Sequence, residues 1–126
     1  TAHNRGHFVR AIMEGVVYEI CDLVALVRDA GIVPDQVTIS GGFTNSPVWM
    51  QILADCLAQP VHIAATHEQA VHGAALTAGV GIGAYDSFPS AAKETPPPRK
   101  TIESDADTAQ RYREFYEMYR DRSADR

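Results

Sequence analysis

The chain has 126 residues, 45% of them hydrophobic, which suffices for one domain with a real core. Its formal net charge of -5 argues against a nucleic-acid partner, because such binders carry a basic face. No apolar run approaches the roughly 20 residues of a membrane span, so no membrane partner is expected, and the polar start from Thr1 to His7 carries no signal peptide.

The first predicted element is a long helix from about Gly6 to Ala30. Phe8, Ile12, Val16, Ile20, Leu23 and Val27 recur at three- and four-residue steps and define one apolar face. Val9, Met13, Val17 and Val24 widen it, which suggests burial on more than one side. Gly31 supplies the stop and Pro34 prevents continuation. Gly15 sits mid-helix, where a close backbone approach would explain it. His3 and His7 are one helical turn apart, yet no third ligand is near, so they read as a solvated or hydrogen-bonded pair rather than a zinc site. Arg10 and Glu14 read as a surface ion pair of small energetic value.

Val37 to Ile39 then reads as a strand, because the run is rich in β-branched residues. Gly41 and Gly42 follow, where the backbone can turn sharply with nothing projecting from it. Ser46 and Pro47 have the pattern of an N-cap and a first helical position. A strand that ends in bare backbone facing a helix N-terminus is a common nucleotide-binding arrangement, and a tight connection that binds nothing is the alternative. The spacing is neither a phosphate loop nor the dinucleotide fingerprint.

The second helix runs from about Pro47 to Ala58, with Val48, Ile52, Leu53, Cys56 and Leu57 as its inner stripe and Trp49 as a core residue. Val61 to Ala64 is a short strand. Thr66 to Gln69 has the capping-box pattern and opens a third helix, from about Glu68 to Val80. That helix has a small-residue face of Ala70, Gly73, Ala74, Ala75 and Ala78, which tight packing would use at every position except Gly73. His62, His67 and His72 are spaced five apart, which fits no single face and no metal site. Residues 86–92 suggest a capped short helical turn. Residues 94–104 form a Pro-rich linker, and a charged helix follows within 105–126, with Asp105 and Asp107 at its start. Tyr112, Phe115, Tyr116 and Tyr119 form an aromatic stripe for packing on the same domain, with an oligomer face such as a homodimer as the alternative. Cys21 and Cys56 form no C-x-x-C pair and read as buried free thiols of a cytoplasmic protein.

Several motifs occur together and in order: His7-x-x-Arg10-Ala11-x-x-Glu14-Gly15-Val16-x-Tyr18, then Ile39-Ser40-Gly41-Gly42-Phe43 with Ser46-Pro47-x-Trp49-x-Gln51-Ile52-x-Ala54-Asp55, then Pro60-Val61 and Gly73-Ala74-Ala75. This set resembles the C-terminal domain of the FGGY carbohydrate kinases over about residues 3–87, and the Gly-Gly-Phe with Ser-x-x-Trp looks most like gluconate kinases, with xylulose kinases next. The resemblance implies an α/β fold that is part of an actin-like ATPase (ribonuclease H-like) domain, with helices packed on a small sheet. It implies that residues 1–93 are a partial nucleotide-binding domain. It also implies an enzyme that transfers the γ-phosphoryl group of ATP to a sugar or sugar-acid hydroxyl, with Mg²⁺ at the phosphates. By resemblance Gly42 approaches the nucleotide, Gly41 shapes the same turn, Ser46 is a polar neighbour, and Gly73 supports the adenine pocket. The family's catalytic aspartate, Mg²⁺ ligands and sugar contacts lie outside the matched motifs. No residue here is assigned a catalytic role, and the chain alone is expected to be inactive; a non-catalytic nucleotide-binding or assembly module is the alternative to a kinase fragment.

Overall fold

The computed structural model describes residues 3–124. The elements in order are α1 (Arg5–Asp29), β1 (Val37–Ile39), a single-turn 3-10 helix (Gly42–Asn45), α2 (Pro47–Leu57), β2 (Val61–Ile63), α3 (Gln69–Gly81), α4 (Phe88–Ala92), β3 (Lys100–Ile102) and α5 (Ala106–Ala124). The sheet has the order β1-β2-β3: β1 runs parallel to β2 with Val37 opposite Val61, and β3 runs antiparallel to β2 with Ile102 opposite Val61. The architecture is mixed α/β with helices on a small sheet, as expected.

The core forms around α2. Met50, Ile52, Leu53 and Ala54 are buried there against Val17, Tyr18 and Cys21 of α1, Val61 and Ile63 of β2, Ile102 of β3 and Tyr112 of α5. Each fully buried large side chain contributes about 1.5–3 kcal/mol over its exposed state. Asp55 is buried with them, and its Oδ1 accepts from Gln51 Nε2 at 3.0 Å and from the Asp105 amide at 2.8 Å. That carboxylate therefore ties α2 to the start of α5.

Helix ends follow local chemistry. Asn4 and His7 make a reciprocal capping box at the start of α1: the His7 amide donates to Asn4 Oδ1 at 3.1 Å, and the Asn4 amide donates to His7 Nδ1 at 3.2 Å. His7 thus serves the helix terminus. Gly31, at φ +83°, closes α1, with its amide donating to Arg28 O and that of Ile32 to Val27 O. At the end of α2 the same left-handed position falls on Ala58, at φ +51°.

Four expectations are corrected. Of the stripe Phe8–Ile12–Val16–Ile20–Leu23–Val27, all but Ile20 face outward, with Phe8 70% and Leu23 62% exposed, whereas Ile20 joins Met13, Val17, Tyr18 and Cys21 in meeting the core. A helix with apolar residues on both sides needs two partners, and the described residues supply one. At Gly15 an added Cβ would meet nothing within 4 Å, so no close approach explains that glycine. The small face of α3 is exposed rather than packed, at Ala70, Gly73, Ala74, Ala75 and Ala78 alike, and no residue of α3 is buried. The capping box at Thr66 does not form. Glu68 takes the cap position with no side-chain bond, while Gln69 Nε2 donates to the Thr66 carbonyl at 3.2 Å and closes a local turn.

The segment 94–104 contains the strand β3 beyond its proline run, because Ile102 is drawn into the core and Lys100–Ile102 pairs with β2. Tyr112, Tyr116 and Tyr119 turn their rings to the domain, and their hydroxyls donate to Glu14, Asp22 and Glu19 of α1, while Phe115 stays exposed.

Candidate nucleotide-binding turn

The turn grows out of β1. The Ile39 carbonyl accepts from the Ala64 amide at 2.9 Å, which carries the β1–β2 pairing to the strand ends. The chain then reaches Gly41 at φ +99° and ψ 178°, a conformation essentially restricted to glycine. Gly42 begins the 3-10 turn with ordinary backbone. At both glycines an added Cβ would meet nothing within 4 Å, so the bend is open. Phe43, the bulky neighbour, turns away to the core side, edge-on to Trp49 with ring centroids 5.3 Å apart and planes at 67°. Trp49 is half-buried as a core-flanking residue, and its Nε1 is buried with no partner among the described residues.

Thr44 is the buried member of the turn, 6% exposed. Its Oγ1 donates to the Gly41 carbonyl at 2.7 Å, and its amide donates to the same oxygen at 3.2 Å. Arg99 Nη2 donates to Thr44 Oγ1 at 3.2 Å, and the Arg99 amide donates to the Ile63 carbonyl at 2.9 Å. Ser46 caps α2, its Oγ accepting from the Trp49 amide at 3.3 Å, and Pro47 takes the first helical position.

Two hollows flank the turn. One, of about 360 Å³, lies between Thr44, Asn45, Pro47 and Met50 on one side and Ile63, Arg99 and Lys100 on the other. The second, of about 480 Å³, lies between the starts of α1 and α2 and is lined by Ser46, Val48, Arg5, Val9, Arg10 and Met13. Arg10 is held there: its Nε donates to Glu14 at 2.8 Å and its Nη2 to Tyr112 OH at 2.5 Å. The bond to Glu14, then that to Tyr112, raises the guanidinium pKa above its ordinary value. The pair expected as a simple surface bridge is therefore part of a three-residue network that reaches α5.

The structure brings Gly41, Gly42 and Ser46 together in one turn, while Gly73 stands on α3, which packs mainly against α4. Gly73 is exposed with open space where a Cβ would stand. Thr44 and Arg99 went unread in the sequence, because the second is far from the turn and sits after three prolines. Asp55 was visible as a motif residue, without a signal of its role. Among the described residues no three His, Cys, Asp or Glu side chains come together as a metal-binding group, and no helix is long and apolar enough to cross a membrane.

A parallel strand pair, a glycine bend and a capped helix on a small mixed sheet make an α/β unit, and the kinase structures it superposes on give it the actin-like ATPase type. Residues 1–82 match the FGGY family of carbohydrate kinases, C-terminal domain, and the chain belongs to that family. It is 33% identical over 117 residues to the L-xylulose/3-keto-L-gulonate kinase of Escherichia coli, covering 93% of this chain and 24% of that protein. Among solved structures, the xylulose kinase of Rhodospirillum rubrum superposes with a TM-score of 0.83 at 32% identity, covering 98% of this chain and 25% of that one. The glycerol kinase of Plasmodium falciparum with ADP superposes with a TM-score of 0.75 at 25% identity, covering 96% of this chain and 25% of that one. The chain thus spans about a quarter of the length of the relatives it matches, 24% of the E. coli kinase and 25% of each structure.

Proposed function

We propose that this chain is the ATP-binding C-terminal portion of a kinase that transfers the γ-phosphoryl group of ATP to a hydroxyl of a sugar or sugar acid. The observation that carries the reading is the open bend at Gly41 and Gly42, inside the family match and beside the capped start of α2. Gly42 lets the nucleoside approach, Gly41 sets the bend, Ser46 offers a polar edge, and Gly73 keeps α3 low beneath the adenine. The ADP named with the P. falciparum structure supports a nucleotide in this fold.

The remaining chemistry belongs to the rest of the kinase. A carboxylate base and the ligands of Mg²⁺ come from there, and closure of the two domains excludes water, so that the sugar oxygen rather than water attacks the γ-phosphorus. The exposed stripe of α1 and the bare small face of α3 are the surfaces that this remainder covers. Residues 1–93 act as the nucleotide-binding portion, and α5 clasps it through β3 and Asp55. A cytoplasmic location, where ATP is available, goes with this reading. A homodimer formed through α5 would use Phe115 and Met118, which that helix leaves exposed.

For the acceptor, a ketose or keto-sugar acid is favoured by relatives above 30% identity that are named for xylulose and 3-keto-L-gulonate. Gluconate is the second reading, favoured by the likeness of Gly41-Gly42-Phe43 with Ser46-Pro47-Val48-Trp49 to gluconate kinases. A panel of D-xylulose, L-xylulose, gluconate and glycerol, offered with ATP to the full-length protein, separates them by the ADP released. Release of ADP with none of these four and with no other sugar or sugar acid would contradict the reading.

A further inference from the structure

We propose that Thr44 and Arg99 form a positioning relay that fixes the glycine bend for the nucleotide, so that the segment after the proline run sets ATP affinity from behind the site. The proposal rests on the reading of the bend as nucleotide-binding and adds two residues to it. The geometry is a chain of three contacts. The Arg99 backbone is anchored to β2 by its amide, which donates to Ile63 O at 2.9 Å. Its Nη2 donates to Thr44 Oγ1 at 3.2 Å, and Thr44 Oγ1 donates to Gly41 O at 2.7 Å. Arg99 Nη1 also lies 3.5 Å from His67 Nε2, which holds the guanidinium on a second side.

The physical consequence follows from peptide planarity. The bond between Gly41 and Gly42 is trans, so a locked Gly41 carbonyl also locks the Gly42 N–H, which points the opposite way. Two glycines in sequence are otherwise the softest stretch of a backbone, and each loses the most freedom on ordering. A bend built this way needs an outside restraint if it is to meet a ligand without first being ordered by it. Thr44 is the one buried residue of the 3-10 turn, and its hydroxyl is spent on the Gly41 carbonyl and Arg99 rather than on solvent. The relay joins residues 55 positions apart in sequence, from the strand end to the arm that precedes β3.

The test is steady-state kinetics on the full-length protein with Thr44→Val, Thr44→Ser and Arg99→Ala, beside Gly42→Asp. Valine keeps the shape and removes the hydroxyl. The relay predicts that Thr44→Val raises KM for ATP by about three- to tenfold. It predicts kcat, KM for the sugar and unfolding temperature close to wild type, with Thr44→Ser restoring KM for ATP. Arg99→Ala should shift KM for ATP in the same direction, and the Thr44→Val/Arg99→Ala double variant should be no worse than the stronger single one. A merely structural role would lower the unfolding temperature and the active fraction and leave KM for ATP in place, which overturns the relay. Additive effects of the two substitutions would overturn it as well, since Arg99 would then act on the nucleotide by itself. Failure of the relay is distinct from failure of the site. If Gly42→Asp raises KM for ATP while Thr44→Val does not, only the relay falls; if Gly42→Asp has no effect, the nucleotide reading falls with it.

Discussion

Helices α2 and α3 are similar in length and both rich in apolar residues, yet one is the centre of the molecule and the other has no buried residue. On α2, Met50, Ile52, Leu53 and Ala54 meet α1, the sheet and α5. On α3, the alanines and Gly73 face open space, and the tight contact is Gly79, where a Cβ would come within 2.6 Å of the Tyr85 ring. Composition does not decide burial; the partners within reach do. The glycine bend is attached to the helix packed against α1, the sheet and α5, and the small-residue helix has no such packing among the described residues.

The sharpest way to break that contrast is to cut into both helices. In the full-length protein, Leu53→Ala should lower the unfolding free energy of this portion by about 2–5 kcal/mol, measured by denaturant titration. Ala75→Ser on α3, where this portion offers no packing partner, should cost less, about 1 kcal/mol or under. Equal losses would mean that α3 is as deeply packed as α2 and would dissolve the comparison.

Next in size is the buried carboxylate of α2. Asp55→Ala removes the acceptor of the Asp105 amide and of Gln51, and should lower stability by about 1–3 kcal/mol. Hydrogen exchange should show the start of α5 opening first. Exchange spread evenly along α5 would place its anchor elsewhere.

A smaller effect appears on the alkaline side. Burial, and then the hydrogen bond to Glu14, push the Tyr112 hydroxyl up to about 12 from its ordinary 10.0. A group raised in the folded state gives stability that is fully present below pH 10.0 and is lost as the pH rises through about 12, because the unfolded chain ionises first. Burial raises Tyr18 and Tyr116 as well, so the loss should be steep. Absorbance at alkaline pH, followed together with circular dichroism, should show these tyrosines ionising only as the fold opens. Early ionisation at constant ellipticity would contradict their burial.

The smallest expected change is a gain. Ala58 holds φ +51° at the end of α2, so Ala58→Gly relieves left-handed strain and should raise stability by up to about 1 kcal/mol. A loss would mean that the alanine methyl contributes more through contacts than its backbone angle takes away.

Much of this was legible before any coordinates. Gly31, Ser46, Pro47 and Ser87 punctuate the chain by local chemistry, and the helices begin and end near them. The glycine bend was readable for the same reason, since Gly41 is defined by its own backbone. The packed face of α1 was not, because periodicity finds apolar stripes without telling which one has a partner: Val17 and Phe8 look alike in a pattern, and one is 0% and the other 70% exposed. β3 escaped because its three residues have one apolar member, Ile102, and owe their extension to β2. The Thr44–Arg99 contact was beyond reach for a related reason, as it exists only once β2 has aligned the arm.

The central claim is that the open bend holds a nucleotide, and Gly42 tests it most directly because its backbone is unstrained and nothing lies within 4 Å of a Cβ there. Calorimetric titration of ADP into the full-length protein and into its Gly42→Asp variant is the measurement. The account predicts at least about tenfold weaker binding, a loss of about 1.4 kcal/mol, with the unfolding temperature of the free protein unchanged. ADP affinity equal to that of the wild type, in a variant that folds normally, would contradict it.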